Sequence, residues 1–280
     1  MRIAPRTMVH GESADTARQA LGVLVFISLL AGAASLAAAE WEGYERLTRE
    51  QVLQVIAQGS AKTPPDLYAK NLSELDLSGI DFRGANLSAA VLNGANLTGA
   101  KLDGCKLNVS FLEGADLSGA TLRNAVLFSV QLKGGNLKDA DLAGARLIGD
   151  LRDVDLSNAK LTDMNAAADM KNQSMGLMRT NIVSAEAMGA DFSNSDFSRS
   201  DFSFTDFSNA TLIGTKLFRA DFSGARLIGT DLSGADLRDS SLIDADLTRA
   251  NLTNADLTGA DFRGVKGLET AVTTGARGLP

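Results

Sequence analysis

A Leu or Phe returns at every fifth residue along most of this chain, and no other feature restricts its folding as much. From Ala85 the sequence divides into fives: ANLSA, AVLNG, ANLTG, AKLDG, CKLNV, SFLEG, ADLSG, ATLRN, AVLFS. The centres run Leu87, Leu92, Leu97 and onward to Leu147, then from Phe192, Phe197, Phe202 and Phe207 through Leu212 to Leu257 and Phe262. On an α-helix a step of five rotates each centre by about 140° and scatters the apolar residues around the axis. On a straight strand an odd step sends alternate centres to opposite faces. The chain therefore has to turn every five residues.

Within one unit the centre and the small residue two places before it share parity. A short extended segment points both inward and turns the Asp, Asn, Lys or Arg between them outward. The fifth position is often Gly, Asn or Asp, the types that tolerate left-handed or tight-turn backbone. Leu and Phe then stack level upon level, with Ala, Ser, Thr or Cys105 in the crowded places between them. Each buried centre contributes about 1.5–3 kcal/mol. The period alone does not fix the number of sides.

Tandem units of the form A-[DN]-L-x-G resemble the pentapeptide-repeat family, and the resemblance covers Leu67 to Phe262. It implies an all-β solenoid, a right-handed quadrilateral β-helix with four units to a coil. Centres at every fifth residue from Leu67 to Phe262 number forty, hence about ten coils. At ~4.8 Å a coil the rod is about 48 Å long. Ahead of it, Thr48-Arg49-Glu50-Gln51 has the form of a capping box, with Val52, Val55 and Ile56 on one helical face before Gly59 and the Pro64-Pro65 stop. Repeat stacks need terminal covers, and this helix is expected to be one. A homodimer through a solenoid end is the alternative use of such a surface.

The first residues carry the pattern of an export signal. Arg2, Arg6 and Arg18 precede the apolar run Leu21 to Leu30, and Ala37-Ala38-Ala39 before Glu40 fits a small-x-small cleavage site. A mature chain starting at Glu40, cut after Ala39, is the expectation, with no membrane contact after cleavage. The alternative is a retained anchor over residues 20–39, an uncharged stretch just long enough to span a bilayer. The domain order is then a signal segment over 1–39, a linker and capping helix over 40–66, the β-helix over 67–264, and a C-terminal tail over 265–280 with at most a short turn.

Regularity fails in the middle. After Leu147 the next centre is Leu151, followed by Leu156 and Leu161, so one residue is lost. From Leu161 to Leu177 is sixteen residues, three units plus one, and the original phase returns before Ile182, Ala187 and Phe192. The degenerate segment between, 162–189, is expected as an irregular coil or a loop. It holds Met164, Met170, Met175, Met178 and Met188, five of the chain's seven Met. Met fills gaps where a coil is imperfect, and it also makes adaptable binding surfaces. Both readings stay open, and these five are the candidate partner-contact residues.

The chemistry on offer is narrow. The single histidine, His10, lies in the segment expected to be removed, so the mature chain has no Ser-His-Asp or Cys-His constellation and no histidine-ligated zinc site. Cys105 has no partner for an intramolecular disulfide and falls at an inward position, as inert packing. The outward Asp191, Asp196, Asp201 and Asp206 fall on four different sides. Along one side, twenty residues apart, the series Asp196, Lys216, Asp236, Asp256 and the series Asp206, Arg226, Asp246 mix signs. No unique acid pair stands out for glycoside hydrolysis, and the glycine-rich spacing of calcium-binding β-rolls is absent. No catalytic residue, metal or cofactor is assigned.

The net charge of −7 becomes −8 once three basic and two acidic residues leave with the signal, which argues against a nucleic-acid ligand. What remains is a non-enzymatic structural or protein-binding scaffold of the periplasm or extracellular space, its partner another protein. The family resemblance implies a second reading, because some members bind DNA gyrase by imitating the size and acidity of a duplex. Net charge and the interrupted coil agree with it; export does not. A carboxylate-based hydrolase is the minor third.

Overall fold

The computed structural model describes residues 41, 43–60, 62–168 and 179–280. The signal segment, its Ala39–Glu40 junction and the alternative anchor over 20–39 lie outside the described residues. Among the described residues no helix is long and apolar enough to cross a membrane.

The solenoid is four-sided, and its own ladder says so. Parallel bridges join residues twenty apart, as in Asp66 with Asn86, Asn71 with Val91, Asp76 with Asn96 and Asp81 with Lys101. Twenty is four units of five. Asp191, Asp196, Asp201 and Asp206 accordingly stand in four separate columns, each continued one coil later by Thr211, Lys216, Asp221 and Arg226. The four sides are named here by their first members: first (Asp66), second (Asn71), third (Asp76) and fourth (Asp81). The coil is right-handed, a quadrilateral β-helix.

One unit shows why the sequence repeats as it does. In Asp231 to Ala235 all five backbone N–H groups find acceptors. Asp231 donates to Ala210 O of the coil before (2.9 Å); Leu232 and Gly234 donate to Asn251 O (2.8 Å) and Thr253 O (2.9 Å) of the coil after. Ala235 donates back to Leu232 O at 3.0 Å, closing the turn. The Ser233 N–H points at no carbonyl and donates to the Asp231 carboxylate at 2.9 Å. A chain this exposed on every side leaves few N–H groups to chance, so the outward Asp or Asn is a structural acceptor as well as a solvated face. The corner residue, Gly234, has φ 65°. Corners are mostly Gly, Asn and Asp for that reason.

The interior is a continuous column of centres. Leu87, Leu92, Leu97 and their successors are fully buried, and small inward residues such as Ala95, Ala115 and Cys105 fill the levels between. Phe192, Phe197, Phe202 and Phe207 form a tier of four aromatic centres, with ring centroids of sequence neighbours 5.3 to 5.5 Å apart. The tier answers a deficit below it. Ala166 and Ala187 are the centres of the coil beneath, joined to the tier through the bridges Asn165 to Asp196 and Glu186 to Asp206. Phe197 and Phe207 therefore sit over the two smallest centres, large on small, which keeps the packing dense.

At the N-terminal end, strand β1 (Glu45–Arg46) pairs in parallel with β2 (Lys70–Asn71), one level below the first coil. Helix α1 (Arg49–Gln58) follows. Thr48 accepts from Gln51 N, and the Gln51 side chain accepts from Thr48 N at 2.7 Å, so both halves of the capping box are made. Val52 is fully buried and Val55 and Ile56 pack against the solenoid core. At the other end the columns do not stop with Phe262. Lys266, Val272 and Arg277 bridge to Asp246, Asn251 and Asp256, with one residue gained at the 3₁₀ turn Leu268–Thr270. The patternless tail thus continues the coil, its repeat hidden by that extra residue.

Candidate functional site

The bridges locate both irregularities at one edge of the rod. Strand β3 (Val126–Gln131) pairs with β4 (Arg146–Asp150) with full register up to Phe128 and Ile148, then slips, so that Ser129 has no counterpart. The lost residue is therefore a corner, the one between the first and second sides. Gly149 fits there because a Cβ would lie 2.2 Å from Val130 O. One coil later the bridge Asp150 to Asn181 spans 31 residues where 20 is regular, so eleven residues are inserted at the same corner. A loss of one and a gain of eleven sum to two whole units, and the phase returns.

The insertion is narrower than the degenerate segment read from sequence. Ala166 is a regular, fully buried centre, and the sixteen-residue step runs from Ala166 to Ile182 instead of from Leu161 to Leu177. Leu177 lies outside the described residues. Residues 162–168 and 179–189 otherwise keep the repeat, with Asn165, Asn181 and Glu186 all in the ladder. Thr180 closes the base: its hydroxyl lies 2.8 Å from Ala166 O and 3.0 Å from Leu147 O, within donating distance of both carbonyls. Arg179 donates to the Asp201 carboxylate at 2.7 Å.

The five methionines do not form one surface among the described residues. Met164 is buried at an inward small position, filling the interior beside the Ala166 centre. Met188 is exposed at a turn between the third and fourth sides, the opposite edge. Met170, Met175 and Met178 lie outside the described residues.

What does gather at the edge between the first and second sides was not singled out from the sequence. From the N-terminal end its turn positions run Tyr68-Ala69, Ser88-Ala89, Asn108-Val109, Phe128-Ser129, Ile148-Gly149, the insertion, Ser198-Arg199, Phe218-Arg219, Arg238-Asp239 and Thr258-Gly259. All four guanidinium–phenyl contacts among the described residues are here. Arg146 lies over Phe128 at 5.7 Å, below the insertion, while Arg199, Arg219 and Arg238 lie 5.7, 5.0 and 5.8 Å from the Phe218 ring, above it. Arg199 and Arg219 are corner residues with φ 66° and 56°, a backbone region that costs a long side chain strain.

The remaining charges are mostly structural. Arg83, Arg152, Arg238 and Arg263 each fold back on the Asp two residues earlier at 2.6 to 2.7 Å. Between coils, Lys216 pairs with Asp196 at 3.6 Å and Arg226 with Asp206 at 3.4 Å, so the mixed columns are compensated as the spacing predicts. Hydrogen bonds from Ser78, Arg238 and Thr258 hold Asp76, Asp236 and Asp256 below the usual carboxylate range. Such groups stay ionised and make poor general acids. Burial pushes the Cys105 thiol up to about 12, and its Sγ donates to Phe82 O at 3.0 Å. Among the described residues no cluster of His, Cys, Asp and Glu could hold a metal ion.

Comparison with known proteins adds the following. A family model described as pentapeptide repeats matches in eight copies over residues 71–108, 112–144, 188–224 and 225–264. No curated protein matches. Among solved structures the chain is similar to HetL of the cyanobacterium Nostoc sp. strain PCC 7120, a pentapeptide repeat protein involved in heterocyst differentiation regulation. Identity is 28%, over 82% of this chain and 96% of that one, with a TM-score of 0.46. It is also similar to Rfr23 of the cyanobacterium Cyanothece 51142, at 26% identity over 43% and 88%, TM-score 0.29. A third is trypsin-treated QnrB1, a plasmid-mediated fluoroquinolone resistance protein, at 20% identity over 76% and 88%, TM-score 0.37.

Proposed function

The chain belongs to the pentapeptide-repeat family, and from that premise we propose that it is a non-enzymatic, protein-binding scaffold of the periplasm or extracellular space, which meets its partner along the edge between its first and second sides. Members of the family are generally structural or binding proteins. One observation carries the reading: the lost residue, the insertion and all four Arg–Phe contacts fall on a single edge of an otherwise uniform rod. A fold that needed only to stand would have no use for that bias, whereas functional residues concentrate at the irregular connections of rigid scaffolds. The location rests on the leader and its Ala39–Glu40 junction.

The test is to recover a tagged chain from its native host after in-cell cross-linking, fraction by fraction, and read its first residue by mass spectrometry. A chain beginning at Glu40, cross-linked to one protein outside the cytoplasm, is the expected result. A second reading draws on the third side, whose bridging positions are Asp76, Asn96, Asp116, Asn136, Asp155, Glu186 and Asp206 with no cation before Arg226. A side so acidic suits a protein that ordinarily grips a duplex. An uncleaved chain in cytosol cross-linked to DNA gyrase would carry that reading and overturn the first.

A further inference from the structure

We infer that the ledge formed by Phe218 with Arg199, Arg219 and Arg238 is a docking point for a short acidic peptide segment that carries an apolar side chain. The inference deepens the scaffold reading and rests on it. Three guanidiniums surround one half-buried phenyl ring in three successive coils, within 5.0 to 5.8 Å of its centroid. Arg199 and Arg219 stack at adjacent corners, about 4.8 Å apart along the rod, where like charges repel and left-handed backbone favours Gly or Asn. Most other corners are Gly, Asn or Asp, with Glu74, Val109, Phe204 and Arg249 among the exceptions, but only at Arg199 and Arg219 do two arginine corners stack in successive coils.

The three arginines differ in what they still offer. Arg238 is committed to Asp236 through Nε and Nη2, both at 2.7 Å. Arg219 reaches Asp239 only through Nε, at 3.3 Å. Arg199 has no carboxylate within ion-pair distance among the described residues. A guanidinium presents five donors in a planar fork matched to carboxylates, and an arginine flattened against an aromatic ring is already ordered for such a contact. Asp239 is in effect an intramolecular stand-in for a ligand carboxylate, held at the rim of the same cluster.

The size of the ledge selects the ligand. It spans three levels, about 10 Å, and is flanked at those levels by Asp196, Lys216 and Asp236 on the first side and by Asp201, Asp221 and Ser241 on the second, with Asp256 and Asp261 one level on; Lys216 is already paired with Asp196. A long polyanion, whether nucleic acid or sulfated glycan, would run off the arginines onto those carboxylates. A short segment places one or two carboxylates on Arg199 and Arg219 and an apolar side chain on the ring between them. Arg and aromatic residues are the side-chain types that most often dominate such contacts.

The experiment selects a random twelve-residue peptide display library against the purified chain, then measures enriched peptides by titration calorimetry. The enriched sequences are expected to place Asp or Glu beside an aromatic or aliphatic residue and to bind more weakly as salt rises. Arg199→Gln should weaken binding at least about tenfold with unchanged melting temperature, Phe218→Ala should weaken it as much in a chain that still unfolds cooperatively, and Asp239→Asn should tighten it by freeing Arg219. Enrichment of neutral or basic peptides, acidic peptides that bind all three variants alike, or displacement of the peptides by heparin would each overturn the inference. The wider scaffold reading would survive such a failure if in-cell cross-linking still returned a single exported partner.

Discussion

The Ser233 N–H donates to the Asp231 carboxylate at 2.9 Å, and the same carboxylate accepts from Asn251 Nδ2 one coil on at 3.1 Å. One side chain thus closes its own unit and ties two coils together. Asp231→Asn should cost little, because an amide oxygen accepts the same N–H. Asp231→Leu leaves that N–H unanswered on a half-exposed face and should cost about 1–3 kcal/mol. Leu232→Asp puts a carboxylate into a fully buried column and should cost about 4 kcal/mol or more. Thermal melts of the three variants give the order, and equal midpoints for Leu232→Asp and Asp231→Leu would sink the assignment of inside and outside.

The small centre Ala187 is held beneath Phe207. Ala187→Leu, although it restores the commoner repeat residue, should destabilise by about 1–3 kcal/mol through overpacking. Denaturant unfolding measures it; a stabilised variant would mean that the aromatic tier does not fill that space.

Cys105 should resist alkylation in the folded chain at neutral pH, since burial raises its thiol to about 12 and little thiolate forms. Iodoacetamide labelling followed through a urea titration should track global unfolding.

Acid should weaken the fold in a defined window. Asp236 and Asp246 are held below the ordinary value of 3.8, chiefly by hydrogen bonds from Arg238 and Thr248. A depressed folded value means that the unfolded chain takes up protons first as pH falls. The stabilisation is complete above about 3.8 and is lost as pH drops through the lower folded values. Urea midpoints from pH 7 to pH 2 should be flat down to about the ordinary carboxylate value and fall below it.

The inside, the outside and the corners were legible in the sequence because a period of five leaves no alternative parity. The capping box and the loss of one residue after Leu147 were legible for similar reasons, both being local, whereas its place at a corner came from the register of β3 and β4. Three features were not. Asp and Asn at the outward position satisfy polarity and hydrogen bonding at once, so their role as acceptors is invisible until the N–H groups are counted. Where the outward residue is Phe111, Thr121 or Val126 in place of Asp or Asn, the coil before supplies Asn93 to Glu113 N, Asp103 to Arg123 N and Asn108 to Phe128 N, a substitution twenty residues distant. Ala166 broke the Leu-or-Phe code, which moved the sixteen-residue step one unit early; only Phe197 above it explains why alanine serves there. The arginine ledge and the apolar corner below it share one edge through steps of 19 and 31 residues as well as 20, and no fixed interval in the sequence aligns them.

The most direct measurement of the scaffold account is a comparison of edges inside the cell. A photo-crosslinking amino acid is placed at Asn108 or Ser198, on the edge between the first and second sides, and at Thr98 or Lys138, on the opposite edge. The account predicts that the first pair captures one and the same protein and the second pair does not. Equal capture from both edges, or capture from Thr98 and Lys138 alone, would contradict it.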